Sequence, residues 1–295
     1  MCTCMSLTAQ HHFFGRTLDH DHDHTAPVVI VPRRMPLPFR RAGTLNSHYA
    51  MIGTASVVDG MPLFYDAVNE KGLSMAGLNF PGLARYQPPR DGADNIAPFE
   101  IIPWILSQCV SVREARVLLA RMNAVDLAFS ERLPNTPLHW MLDDRREAIV
   151  IEPMADGLHI HDNPACVLSN SPSFPEHMAA LADFRGGDSL LPGDYSSVSR
   201  FIRAATVRRE CASDGDEHDT VPHFMRLMAA VSPPRGMVRS EAGRLHFTRY
   251  TSCCDTDTGV YSITTYLDPT IRCAGMHHAQ LDGRELIECR LEENC

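Results

Sequence analysis

The chain has 295 residues, of which 44% are hydrophobic and 21% charged, a composition that excludes disorder and suits a folded globular protein. Its formal net charge of -9, from 27 Lys and Arg against 36 Asp and Glu, excludes the basic footprint that a phosphate backbone requires, so nucleic acid is not an expected partner. Even the stretch Phe99 to Val110 is broken by Glu100, Pro103 and Gln108, which leaves no candidate for a membrane span of roughly 18 to 20 apolar residues.

In chain order, strands are predicted at Cys4 to Ala9, Phe13 to Arg16, Ala50 to Val57, Leu73 to Leu78, Leu138 to Asp143, Ala148 to Met154, Leu158 to His161 and Cys166 to Ser169, all short apolar runs bounded by turn residues. Asp143-Asp144-Arg145-Arg146 and Ala155-Asp156-Gly157 are turn chemistry between such runs, which predicts antiparallel hairpins. Helices are predicted at Phe99 to Met122, with Ile101, Trp104, Ile105, Val112, Ala115, Leu118 and Leu119 near one face, then at Ser197 to Arg209 and Val221 to Val231. Asp91 to Asn95, Arg185 to Asp188 and Ser213 to Asp219 are expected loops. Strands in blocks with few helices, and no βαβ alternation or fixed-period repeat, indicate an α+β fold in one domain.

Before residue 31 the longest apolar run is Val28 to Val31, set between prolines and followed by Arg33 and Arg34. That is too short for a signal peptide, so a cytoplasmic protein is expected. The ten cysteines are dispersed through a chain too large to need staples, and free thiols are expected.

The chain opens Met1-Cys2-Thr3-Cys4. Cysteine is small enough for an aminopeptidase to remove Met1, which would leave Cys2 with both a thiol and a free α-amine. The thiolate is the nucleophilic form, and an α-amine with an ordinary pKa of about 7.7 to 8 is a proton acceptor at neutral pH. The next strand, Phe13-Phe14-Gly15-Arg16-Thr17-Leu18-Asp19, brings a cation and a carboxylate into the same neighbourhood, and Gly15 permits close strand approach. On residue types alone, Arg16 and Asp19 serve equally as an ordinary ion pair at a strand end. Cys4, two residues on, shares the face of Cys2 and is expected to pack.

Met-Cys-Thr followed by Phe-Gly-Arg-x-x-Asp resembles the opening of the choloylglycine hydrolase family, which includes bile salt hydrolases and penicillin V acylases. The likeness continues in order through Asn69-Glu70-Lys71-Gly72-Leu73, Gly77-Leu78-Asn79-Phe80-Pro81, Leu133-Pro134-Asn135-Thr136-Pro137-Leu138-His139-Trp140, Leu168-Ser169-Asn170-Ser171-Pro172-Ser173-Phe174, Leu191 to Phe201 and Tyr250-Thr251-Ser252-Cys253. It spans roughly residues 2 to 265. The resemblance implies the four-layer αββα sandwich of N-terminal nucleophile hydrolases, a homotetramer, and no cofactor or metal. It also implies Cys2 as nucleophile flanked by Arg16 and Asp19, Asn79 and Asn170 completing an oxyanion site, and Arg200 supporting the cluster. Without it, Asn79 and Asn170 are plausible turn formers and Arg200 a plausible surface cation of a helix.

Asn79 in Gly-Leu-Asn-Phe-Pro resembles the bile salt branch, where penicillin V acylases more often carry Tyr, so conjugated bile salts are the implied small-molecule substrates. Penicillin V or another N-acyl amide, such as an N-acyl homoserine lactone, is the alternative. A steroid needs an apolar pocket, for which Leu18, Phe64, Tyr65, Phe80, Ala128 and Phe129 are the candidates. Tyr65 departs from the small residue that the resemblance implies there. The run Asp19-His20-Asp21-His22-Asp23-His24, with His11-His12 before it, makes a His/Asp-rich metal-binding protein the competing class. Alternate histidines of a strand share a face without converging, which favours weak, adventitious binding.

Overall fold

The computed structural model describes residues 1–21, 26–184, 190–211, 220–240 and 243–293. The predicted loops at Arg185 to Asp188 and Ser213 to Asp219, and His22, Asp23 and His24 of the His/Asp run, lie outside them.

Two antiparallel sheets form the centre. The first has the strand order Val167–Leu168, Cys2–Thr8, His12–His20, Leu245–Asp255, Val260–Thr265 and Arg272–Gly275, with Val238–Arg239 pairing beside Leu245–Asp255. The second runs Gly157–Asp162, Ala148–Met154, Leu138–Asp143, Ser74–Asn79, Met61–Asn69, Met51–Val58, Val28–Val31 and Ile287–Glu288. Strand alternation sorts the side chains of the second sheet into two layers. Val28, Ile30, Ile52, Met141 and Val150 join the apolar cluster that includes the first sheet. Their neighbours Val29, Val31, Met51, Trp140, Leu142, Ile149 and Ile151 pack on the opposite face with the helices Ile101–Leu106 and Val112–Leu119. The helices Phe174–Asp183, Ser197–Cys211 and Val221–Ala229 cover the first sheet through Phe174, Phe201, Ala204, Phe224 and Leu227. The result is the expected four-layer αββα sandwich, and among the described residues no helix is long and apolar enough to cross a membrane.

The predicted helix from Phe99 to Met122 is two helices after a 3-10 turn at Pro98–Glu100. The break has a local cause. The amide of buried Asn69 donates to the carbonyls of Leu106 and Cys109, each at 2.8 Å, and so satisfies the end of the first helix. Ser111 then caps the second by accepting from the Glu114 amide at 3.2 Å, and Met122–Ala124 is a strand. The long strand Met61–Asn69 escaped prediction because Pro62 and Asp66 interrupt its apolar pattern, and the helix Phe174–Asp183 because its second residue, Pro175, reads as a breaker although a first turn accommodates it.

Cys2, Cys4, Cys109, Cys166, Cys211, Cys253, Cys254 and Cys289 are free thiols as expected. Cys273 corrects that expectation: it is disulfide-bonded. Its backbone exchanges hydrogen bonds with Glu292 at 2.8 and 2.9 Å, which clasps the C-terminal segment against the sheet.

Candidate active site

Cys2 is the first residue of its strand, 4% exposed, and pairs with Leu18, while Cys4 pairs with Arg16. Even-numbered residues of this strand face the second sheet: Cys4 Sγ lies 3.8 Å from Met141 Sδ and Ser6 Oγ donates to Asp143 Oδ2 at 2.6 Å. Thr3 faces the helices, where its hydroxyl meets Arg200 at 2.6 Å. Close approach of the adjoining strands depends on Gly15, since a Cβ there would stand 2.0 Å from the Ser252 carbonyl oxygen.

Arg16 is fully buried and crosses between the sheets. Its Nη1 donates to the carbonyls of Tyr65 at 2.9 Å and Gly77 at 2.6 Å, and Nε donates to Thr17 O at 3.2 Å. Burial alone would lower its pKa, but Cys2, when ionised, and Asp66 outweigh it and hold the pKa above the ordinary arginine value. Burial pushes the Cys4 thiol well up and makes it a packing residue.

Asn170 joins three segments of the site. Its Oδ1 accepts from the Cys2 backbone nitrogen at 2.7 Å and from Arg200 Nη2 at 2.9 Å, and its Nδ2 donates to the Asn79 carbonyl at 2.6 Å. Arg200, on the helix Ser197–Cys211, is fully buried rather than a surface cation, and its Nη1 also reaches Cys2 O at 2.5 Å. Burial pushes its pKa down, and Asp19 and Cys2 oppose that.

Asp19 sits beside the chain start. Its carbonyl accepts from the Met1 amine at 2.9 Å and its amide donates to Met1 O at 3.0 Å. The carboxylate accepts from Thr248 Oγ1 at 2.7 Å through Oδ1, whereas the buried Oδ2 has no hydrogen-bond partner. Asn79 ends its strand with a buried Oδ1 that likewise has none. Cys2, Arg16, Asp19, Asn79, Asn170 and Arg200 are therefore one connected cluster around the first residues of the chain.

The candidate apolar wall divides. Leu18 and Tyr65 pack in the cluster that contains Cys2, and the Tyr65 hydroxyl meets Ser56 Oγ at 2.9 Å. Phe64, adjacent on the same strand, points into the other apolar layer. Phe80 is fully buried with its ring stacked on His139, centroids 4.2 Å apart, so it supports the strand end bearing Asn79 and offers no open surface. Phe129 packs edge-on to Phe99 at 5.2 Å and, next to Ala128, borders a cavity of about 330 Å³ shared with Leu37, Phe39, Arg40 and Met61. That lining includes neither Cys2 nor Arg16.

The sequence reading missed what holds Asn170 in place. His177 Nε2 donates to the Asn170 carbonyl at 2.7 Å, His139 Nε2 meets Ser169 O at 2.7 Å, and Ser197 Oγ accepts from the Asn170 amide at 2.8 Å. Burial lowers the His177 pKa to about 4, so its ring is neutral near pH 7. Buried Glu152 faces His139 at 3.3 Å and accepts the Phe174 amide at 2.9 Å, which anchors the following helix. His139 lay within a recognised segment, but nothing in the sequence linked it to Asn170.

Among the described residues, His11, Asp255 and Asp257 bring possible metal ligands together. Arg145 already pairs with one of them, with Nη1 2.6 Å from Asp257 Oδ2. His20 ends its strand with Nδ1 3.1 Å from Asp21 Oδ1.

The family model for linear amide C–N hydrolases, choloylglycine hydrolase family, matches residues 2–289. A bile salt hydrolase/transferase of Lactiplantibacillus plantarum is 40% identical over 97% of this chain and 96% of its own length, and one of Clostridium perfringens is 32% identical over 97% and 95%. The crystal structure of a mutant conjugated bile acid hydrolase from Clostridium perfringens superposes with a TM-score of 0.92 at 32% identity, covering 99% of this chain and 98% of that one. A penicillin V acylase from Agrobacterium tumefaciens shares the fold, with a TM-score of 0.81 at 21% identity over 97% and 90% of the two chains.

Proposed function

Because the chain belongs to the choloylglycine hydrolase family of linear amide C–N hydrolases, we propose that it cleaves the amide bond joining a bile acid to glycine or taurine, with Cys2 as nucleophile. The observation that carries this reading is the convergence on Cys2 of Asn170, Arg200 and Arg16, beside an Asp19 oxygen that is buried without a partner. Removal of Met1 turns the Cys2 backbone nitrogen into an amine, already 2.7 Å from Asn170 Oδ1, and in this reading the unpaired Asp19 carboxylate oxygen orients it.

The amine takes the thiol proton, and the thiolate, beside the buried Arg16 charge, attacks the amide carbonyl carbon. Negative charge moves to the carbonyl oxygen. The Asn79 amide is the donor available for it, because its side chain is not tied up in the cluster as that of Asn170 is. Collapse forms a thioester on Cys2 as the amine passes its proton to the leaving glycine or taurine nitrogen. The same amine then activates the water that releases the bile acid. The names of the relatives, at 32 to 40% identity over nearly the whole chain, support the substrate class. As further parts of this reading, the enzyme works as one domain spanning the chain, in the cytoplasm, as a homotetramer.

The test is parallel incubation of the reduced, Met1-free protein with glycocholate, taurocholate and penicillin V. Release of glycine or taurine well above penicillin V cleavage, abolished in a folded Cys2→Ala variant, is the expected result. Cleavage of penicillin V alone keeps the chemistry and overturns the substrate, and full activity in Cys2→Ala overturns the mechanism.

A further inference from the structure

Arg16 shares the space between the sheets with a second buried charge. Asp66, on Met61–Asn69, is 2% exposed. Its Oδ1 accepts from Thr54 Oγ1 at 2.6 Å and the Tyr250 hydroxyl at 3.0 Å, and its Oδ2 from the Tyr261 hydroxyl at 2.5 Å and Ser252 Oγ at 3.2 Å. All four contacts are donated by hydroxyl groups, two to each carboxylate oxygen. The network also touches Arg16 directly: Ser252 Oγ accepts the Arg16 backbone N–H at 3.2 Å, and Arg16 Nη1 donates to the carbonyl of Tyr65, the residue before Asp66.

The other titratable groups around Asp66 are Tyr65 on its own strand, Cys2 and Cys4 on the first strand, Tyr250 and Cys254 on Leu245–Asp255, and Tyr261 on Val260–Thr265. Burial holds Cys4, Cys254, Tyr65, Tyr250 and Tyr261 in their neutral forms. Asp143, further along the layer, is paired with His12 at 2.5 Å. The charges left to balance one another in this layer are Arg16, Asp66 and, once ionised, Cys2, which also faces Arg200, Asp19 and its own α-amine, all unchanged by a substitution at Asp66.

We propose that Asp66 is a positioning residue of the reaction: the counter-charge that keeps Arg16 between the sheets and, by sharing its field, limits how readily Cys2 ionises. The inference rests on Cys2 being the nucleophile but not on any substrate, so alkylation tests it apart from hydrolysis. The Met1-free protein is treated with iodoacetamide from about pH 5 to about pH 10, and modification of the N-terminal peptide is followed by mass spectrometry. With Asp66→Asn, Arg16 is left to the thiolate alone, and the midpoint of the rate profile is expected to fall by about one unit, roughly tenfold faster alkylation below both midpoints. A midpoint that stays or rises overturns the proposal, since a purely structural role would leave it in place. Should Asp66→Asn not fold, the double variant Ser252→Ala with Tyr261→Phe keeps the carboxylate and removes two of its donors. With the carboxylate's charge less offset, its midpoint is expected to rise, by less than about one unit, and a midpoint that stays or falls overturns the proposal equally.

Discussion

Asn79 and Asn170 are the same residue type in one cluster, yet the structure gives them different work, and truncating each to alanine separates the two roles. Asn170 holds a charged donor, Arg200 Nη2, at 2.9 Å, the Cys2 nitrogen at 2.7 Å and the Asn79 carbonyl at 2.6 Å. Losing a hydrogen bond to a buried charge costs about 1.5 to 3 kcal/mol and each neutral one about 1 kcal/mol, so Asn170→Ala should lose about 3 to 5 kcal/mol. With a urea slope of roughly 3 kcal/mol/M, the unfolding midpoint falls by about 1 M or somewhat more. Asn79 leaves its buried Oδ1 unpartnered, so Asn79→Ala should keep its stability to within about 1 kcal/mol while losing the proposed oxyanion donor, about 100- to 1,000-fold in kcat. Urea titration followed by fluorescence, with glycine release from glycocholate measured on the same preparations, reads both quantities. Equal destabilisation of the two variants, or wild-type stability in Asn170→Ala, would refute the division of labour.

His177 is neutral and buried in the fold, with its pKa lowered to about 4 from the 6.5 of a free ring. The unfolded chain takes up that proton first, so the contribution of His177 is complete above about pH 6.5 and is lost as pH falls towards 4, about 3 kcal/mol in all. His177→Gln, which keeps a donor for the Asn170 carbonyl, should flatten the stability profile in that window, and an unchanged slope by urea titration would contradict the assignment. Gly15→Ala puts a Cβ 2.0 Å from the Ser252 carbonyl oxygen and 2.8 Å from the Phe224 ring. It should cost about 3 kcal/mol or more and show as a lowered thermal midpoint and poor soluble yield. Ser111→Ala removes the cap of Val112–Leu119 and should lower stability by about 1 kcal/mol with kcat unchanged, since the cap lies on the outer helical layer.

The fold class was legible because the strands at Leu138–Asp143 and Ala148–Met154 are short apolar runs and the turn between them is written in four charged residues. The single long helix was not, because its interruption is made by Asn69, some forty residues earlier, and local periodicity carries no trace of it. Six polar residues of the site were legible only as members of a recurring order of motifs. Taken one at a time, Arg200 is an unremarkable cation on a helix, and only the folded chain shows its guanidinium buried against Cys2. The apolar wall was the weakest reading for a geometric reason. Phe64 and Tyr65 are neighbours in a strand, so their side chains go to opposite layers, and at most one of them can face Cys2.

The placement of the first strand also orders events during synthesis. Cys2–Thr8 lies inside its sheet, between Val167–Leu168 and His12–His20, and the latter is completed only by Leu245–Asp255. Those partners leave the ribosome long after residue 2, so the nascent N-terminus stays accessible while most of the chain is still being made. In the finished molecule Cys2 is 4% exposed and Met1 is bound at both its amine and its carbonyl by Asp19. If Met1 is removed, as the proposed function requires, its excision belongs to the nascent chain. A folded molecule that has kept its methionine should resist added aminopeptidase, and the same molecule in denaturant should yield it.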